Sequence, residues 1–383
     1  MVSFKGGQNQ ELFEGLVCPK THASLEYMPM AGGRSALICE KSWDQYDIVG
    51  EEVPIFETIE YQGLEAPPAK FWRRLISPFI WVLLAFRVSV KIIPGKLGND
   101  PALDKMFEYA VGRFSNLNNL SLLSVYNIYL KAIEGSIFSE RIPERPSLEF
   151  GGGWGFYTNE IYGGNCRIDD SADVLIELHV PGKLHKDRHL VFDRQYCALP
   201  HKLPKADKSL RTVFSIHILD HIKNLDPVFA EMNRVLVPGG TFWASTYAQN
   251  TYEFLPEFPI LKKLGMLSER YRNWRLRKVN ARAGWPYLID DGFGNGLNQF
   301  SLVKWKELAE HHGLELVEAK PFNWGRVWML LTDAEMQGFF CPKFMTSFIL
   351  KLVHRLCRFE LLNPPPFDQA ANVFLVFRKK STT

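Results

Sequence analysis

The chain has 383 residues, 46% of them hydrophobic and 23% charged, with a formal net charge of +3. That length holds one large core with accessory pieces, and the composition is that of a globular protein rather than a disordered or fibrous one. So small a net charge gives no ground, by itself, for nucleic-acid binding. Six cysteines (18, 39, 166, 197, 341 and 357) contain no C-x-x-C pair, and the N-terminus carries no signal-peptide pattern. Reduced thiols in a cytoplasmic setting are expected.

In chain order, residues 11–60 read as a small β-rich module. Short strands are predicted at Leu16–Pro19, Leu37–Cys39, Tyr46–Val49 and Val53–Phe56. The spacing of Cys18-Pro19, Cys39 and the ending Tyr46-Asp47-Ile48 to Pro54-Ile55-Phe56 resembles the zinc-ribbon-like family that includes activator subunits of tRNA methyltransferases. Thr21 stands where the second cysteine of a C-x-x-C would be, so Cys18, Cys39 and His22 offer at most three donors. Structural zinc takes four N or S donors, and a metal-free module is expected.

Residues 61–140 read as a linker followed by a helical cap. Pro67-Pro68 marks the linker. The apolar run between Arg74 and Arg87 is shorter than the roughly 20 residues that span a bilayer. Its basic and aromatic ends suit a helix in a membrane interface, and a helix packed on the core fits equally. Phe107, Val111, Leu117, Leu120, Leu123, Tyr126 and Leu130 then recur at helical spacing.

From Ser147, strand and helix signals alternate, which predicts a doubly wound, mainly parallel sheet over 141–383. Leu148-Glu149-Phe150 is the first strand, and Gly151-Gly152-Gly153-Trp154-Gly155 is a turn into a helix. Glycines there let the backbone turn tightly and bring N–H groups against a ligand. A G-x-G pattern alone serves many nucleotides. Glu149 would repel a pyrophosphate but can pair with a cationic amino-acid end, such as that of S-adenosylmethionine, and no lysine follows as in a P-loop. The second strand, Cys166–Asp169, and the third, Leu190–Asp193, both end in a carboxylate. A carboxylate at such an end can take ribose hydroxyls, although Asp170 and Ser171 serve a helix N-cap at least as well. Arg211–Ile216 is a fourth strand, Asp226-Pro227 opens a helix, and Val235 to Ser245 is a turn into a fifth strand.

These residues together resemble the class I S-adenosylmethionine-dependent methyltransferases, in the branch that includes ubiquinone and small-molecule enzymes. The resemblance covers residues 147–250. It is carried by Glu149 to Gly155, Arg167 to Ser171, Leu203-Pro204 with Asp207 and Ser209, Ile218 to Ile222, and Arg234-Val235-Leu236-Val237-Pro238-Gly239-Gly240. It implies a Rossmann-like α/β fold, S-adenosylmethionine as cofactor, and cofactor contacts from Glu149, Gly151, Gly153 and Gly155. It further implies Asp169 at the ribose and Asp193 near the adenine. Arg211 departs from the family, which commonly has aspartate there.

A sulfonium is already an activated methyl donor, so the protein must align, desolvate and, for a hydroxyl acceptor, remove a proton. His217 and His221, after the fourth strand, are the candidate catalytic bases; His221 is equally a structural residue. Residues 246–300 form a predicted lid insertion that mixes Tyr247, Tyr252, Trp274 and Trp285 with Arg270, Arg272, Arg275 and Arg277. Such a lid suits a small-molecule or lipid-linked acceptor. Arginines among aromatics also suit RNA, the second reading, and a helical cap with core aromatics is the plain one. Residues 339–360 repeat the basic and aromatic pattern, which favours peripheral membrane contact. A third reading is a non-catalytic scaffold that kept the fold.

Overall fold

The computed structural model describes residues 13–29, 35–49, 53–56, 81–114 (apart from 83, 87, 93 and 94), 120, 122–173 (apart from 154, 164 and 165), 191–249, 298–325 and 341–381. Seven strands form the main sheet: β5 (Ser147–Phe150), β6 (Ile168–Asp173), β7 (Phe192–Cys197), β8 (Leu210–Ile216), β9 (Leu236–Tyr247), β10 (Leu314–Trp324) and β11 (Ala370–Lys379). Their order is β10-β11-β9-β8-β5-β6-β7. β5, β6, β7, β8 and β9 run parallel, and β11 is antiparallel to both its neighbours. The chain thus winds one way from β5 to β7 and the other way from β8, which places a switch point between β5 and β8.

Residues alternate between the two faces, as the strand period of two requires. Phe214, Trp243, Phe374 and Val376 face α1 (Pro101–Phe114), α2 (Leu122–Ser139), α3 (Phe156–Tyr162) and α6 (Lys343–Leu362). Val213, Phe242, Val373, Leu375 and Phe377 face α4 (Asp226–Val235) and α5 (Leu302–His311). The result is a three-layer α/β/α sandwich. Helical residues between 81 and 92 join the first layer through buried Trp81, Leu84, Val88 and Ile92. Among the described residues no helix is long and apolar enough to cross a membrane.

Arg234 shows why the 234–240 motif is needed. Its guanidinium donates to the carbonyls of Leu203 and Lys205 and pairs with Glu231 and Asp207 at 2.7 Å. One side chain therefore ties α4 to the loop that enters β8.

The N-terminal module is a four-stranded antiparallel sheet of β1 (Leu25–Pro29), β2 (Ser35–Cys39), β3 (Gln45–Val49) and β4 (Val53–Pro54). Ile55 bridges Cys197 in parallel, so the module covers the β7 edge of the main sheet. Two loops in it share one geometry. The N–H of His22 donates to the Cys18 carbonyl (2.8 Å), and that of Trp43 to the Cys39 carbonyl (2.9 Å). His22 and Trp43 both have left-handed backbone, at φ 55° and 61°. Thr21 Oγ1 lies 3.2 Å from Cys39 Sγ, and Tyr46 Oη lies 3.2 Å from Cys18 Sγ. Burial pushes the Cys39 thiol up, but hydrogen bonds from Ser42 and Thr21 outweigh it and bring it down to about 6. The donors that converge are two thiols and two hydroxyls, from Cys18, Cys39, Thr21 and Ser42. That set does not fit four-coordinate structural zinc.

Two predicted strands are displaced. The second runs to Asp173 and the third to Cys197, each four residues past the carboxylate at which it was expected to stop. The predicted lid falls almost wholly on 250–297, outside the described residues, as do 71–80 of the apolar run.

Candidate active site

All four residues of β5 are buried, and Gly151 follows the strand directly. Gly151 has φ 77°, and a Cβ there would stand 2.3 Å from the Ile218 side chain, so only glycine fits. Gly155, at φ 72°, passes as closely under the Phe192 ring, 2.4 Å from where its Cβ would be. Gly153 donates its N–H to Asp173 Oδ2 at 2.8 Å, which fixes the loop to the end of β6.

Glu149 is 1% exposed. Its Oε1 accepts a hydrogen bond from Thr158 Oγ1 at 2.8 Å, while Oε2 has no partner among the described residues. Burial, reinforced by the Asp173 carboxylate, pushes the Glu149 carboxyl up to about 8. A buried carboxyl oxygen left unsatisfied beside a cavity is a place for a ligand's positive charge or donor.

That cavity, about 280 Å³, is walled on one side by Glu149, Gly151, Gly152, Gly155, Phe156, Tyr157, Thr158 and Ile216. Helices α1 and α2 close the other side with Tyr109, Arg113, Phe114 and Lys131. The Tyr157 hydroxyl donates to the Lys131 carbonyl (2.8 Å), and Lys131 Nζ sits 4.5 Å from the Tyr157 ring centre. One wall is acidic and the other basic and aromatic, which matches a zwitterionic amino-acid ligand better than a polyphosphate.

Next to Ile216, His217 follows β8 with φ 58°, a conformation few non-glycine residues adopt. Its Nδ1 lies 2.8 Å from Glu134 Oε1, and its ring meets that of Tyr247 edge-on at 5.1 Å. His221 is on the 3₁₀ turn Leu219–His221, with Nε2 3.7 Å from Asp220 Oδ2. Neither histidine is part of the cavity wall, but His217 directly follows the wall residue Ile216.

Asp169 and Asp193 are not brought to the glycine loop. In the parallel register Leu148 pairs with Asp170, so Asp169 lies at the opposite end of β5 from Gly151. There it accepts the Ser147 N–H (2.7 Å) and pairs with Arg145 at 2.5 Å. Asp193 joins the same cluster, 2.6 Å from both Arg145 and Arg167. The carboxylate at the loop is Asp173. Sequence reasoning missed it, along with Lys131, Glu134, Tyr157 and Thr158. The available signals were Glu134 inside an apolar helical run and a second acid, Asp173, shortly after Asp169.

Residues 148–244 match the family described as a methyltransferase domain. The matched stretch runs from β5 into β9, about a quarter of the chain. Its cofactor is S-adenosylmethionine, and the protein is an enzyme. Solved structures similar to the chain include two methyltransferases and a cyclase. Phosphoethanolamine N-methyltransferase 2 from Haemonchus contortus, in complex with S-adenosyl-L-methionine, is 18% identical over 74% of this chain and 58% of that one, with a TM-score of 0.38. An S-adenosylmethionine-dependent methyltransferase from Mesorhizobium loti is 14% identical over 61% of this chain and 90% of that one, TM-score 0.36. The [4+2]-cyclase SpnF is 13% identical over 84% and 100%, TM-score 0.39. Similarities of this extent carry no argument about substrate. No curated protein matches the chain. The matched stretch contains the glycine loop, Glu149 and Asp173, which meet at the switch point of the sheet.

Proposed function

We propose that the enzyme transfers a methyl group to an oxygen of a small-molecule or lipid-linked acceptor. The observation that carries this is the pairing of a walled cavity at the glycine loop with a partly buried histidine next to the wall residue Ile216. Glu149 would receive the amino group of the cofactor at its unsatisfied Oε2. The N–H groups of Gly151, Gly153 and Gly155 are taken by Ala172, Asp173 and Gly152, so the loop would admit the methionine end by its shape rather than through those donors. Asp173 replaces Asp169 as the ribose ligand, because it alone of the two lies at the loop. Arg113 and Lys131 suit the cofactor's carboxylate. When bound, the sulfonium supplies an activated methyl group, so the chain's task is alignment and proton removal. His217 is the candidate base.

The lipid-linked reading gains support from the surface. Val82, Phe86 and Val90 repeat every four residues on a helical stretch and are 58%, 64% and 51% exposed. Phe344 and Phe348 repeat in the same way on α6, at 85% and 54%. Exposed apolar residues at helical spacing, with Lys351 and Arg355 on the same helix, fit an interface helix. Incubating the enzyme with methyl-labelled cofactor and fractionated cell extract tests the acceptor class. Label in lipid or small-molecule fractions supports the reading, and label confined to RNA refutes it.

A further inference from the structure

Four side chains meet behind the cavity. Glu134, on α2, is fully buried. Its Oε2 pairs with Lys131 Nζ at 2.6 Å, and its Oε1 accepts from Ser245 Oγ at 2.6 Å and lies 2.8 Å from His217 Nδ1. Burial opposes the charge on Glu134, but Lys131 and His217 outweigh it and hold the carboxyl well below the usual range. His217 Nε2 is buried and has no partner among the described residues. The groups around this pair are Lys131 and Tyr126 from α2, Tyr157 from α3, Asp220 from the 3₁₀ turn, and Ser245 and Tyr247 from β9.

We infer that Glu134 is a positioning residue that fixes His217 with its proton on Nδ1 and its lone pair on Nε2, so that the acceptor is one that gives up a proton as it is methylated. This rests on the methyltransferase reading of the site. An anionic oxygen can only accept, so the neutral imidazole must present Nδ1–H to it. Nε2 is then a bare acceptor in a place without water-exposed surface. As the acceptor oxygen bonds the methyl carbon and the carbon–sulfur bond breaks, the hydroxyl proton passes to His217 Nε2, and the donor leaves as a neutral thioether. Hydroxyl and phenol acceptors meet that requirement. A tertiary amine, which has no proton to lose, does not.

Glu134→Gln tests the assignment because Lys131 has only donors. The amide oxygen must turn to Lys131, which aims the amide NH₂ at Nδ1 and drives the imidazole proton to Nε2. Nitrogen-15 NMR of the cofactor-free protein, labelled at histidine, reads the tautomer directly. Wild type should show a protonated Nδ1 and a bare Nε2, Ser245→Ala should keep that pattern, and Glu134→Gln should reverse it. Calorimetry should show that Glu134→Gln still binds S-adenosylmethionine, while methyl transfer to extract at saturating cofactor falls about 10²–10⁴-fold, the usual worth of a positioned base. A wild-type imidazole protonated on Nε2 overturns the assignment, and so does a Glu134→Gln protein with undiminished transfer. The tautomer is measured without cofactor, so a failure of S-adenosylmethionine to bind would sink the methyltransferase reading separately.

Discussion

Replacing Glu149 by glutamine should stabilise the cofactor-free protein at neutral pH. The carboxyl is buried, one of its oxygens lacks a partner, and it holds its proton up to about 8 against an ordinary 4.5. In the unfolded chain it ionises near 4.5, so between those values unfolding releases a proton. Stability from this group is therefore greatest below about 4.5 and falls as pH rises through 8. At pH 7 the gap of about 2.5 units, at roughly 1.4 kcal/mol each, corresponds to about 3 kcal/mol. Glutamine keeps the shape and the Thr158 contact without the ionisation. Urea unfolding at about pH 5, 7 and 8.5 should show the variant gaining over wild type as pH rises, by about 3 kcal/mol at neutrality. Glu360, buried against Tyr129 and pushed up to about 7, adds a slope of the same sign that the variant retains. Parallel curves for the two proteins, or a variant less stable at every pH, would refute the burial argument.

Asp173→Ala should weaken S-adenosylmethionine binding by 1–3 kcal/mol, about the cost of removing a buried hydrogen-bond partner, whereas Asp169→Ala should leave affinity unchanged; equal affinities for both variants count against the reassigned ribose ligand. Thr21→Cys with Ser42→Cys should convert the N-terminal module into a four-thiolate site that takes up one zinc and raises the melting temperature, while either single variant stays short of four donors; metal analysis after dialysis decides it. Cosedimentation with anionic liposomes at low salt should fall on changing Phe86 and Phe344 to serine, and protein that stays in the supernatant whatever the sequence argues against interfacial contact.

Much of the fold was legible because period and punctuation agree. The alternation of Val213 with Phe214 and of Phe242 with Trp243, the Asp226-Pro227 helix start, and the glycines at 151, 153 and 155 each carry local physical meaning. The ribose end of the site was not legible in the same way. Asp169-Asp170-Ser171 has the composition of a turn, yet it continues a buried strand. Asp170 is tolerated there because Lys205 and Arg194, far away in the chain, pair with it at 2.5 and 2.9 Å. Asp169 sits at the start of that strand rather than its end because Ser147 and Arg145 hold it there. A tertiary ion pair thus moved the strand end by four residues, and with it the acid that faces the loop. Glu134 was hidden for the same reason. Its partners come from α2, β8 and β9, and no local pattern joins them.

Calorimetric titration of the folded wild-type protein with S-adenosylmethionine tests the central claim most directly. One saturable site is expected, and Gly151→Val, whose side chain would strike Ile218, should abolish it while the fold persists by circular dichroism. Absence of binding to the folded wild type, or full affinity in Gly151→Val, would contradict the placement of the cofactor at the glycine loop.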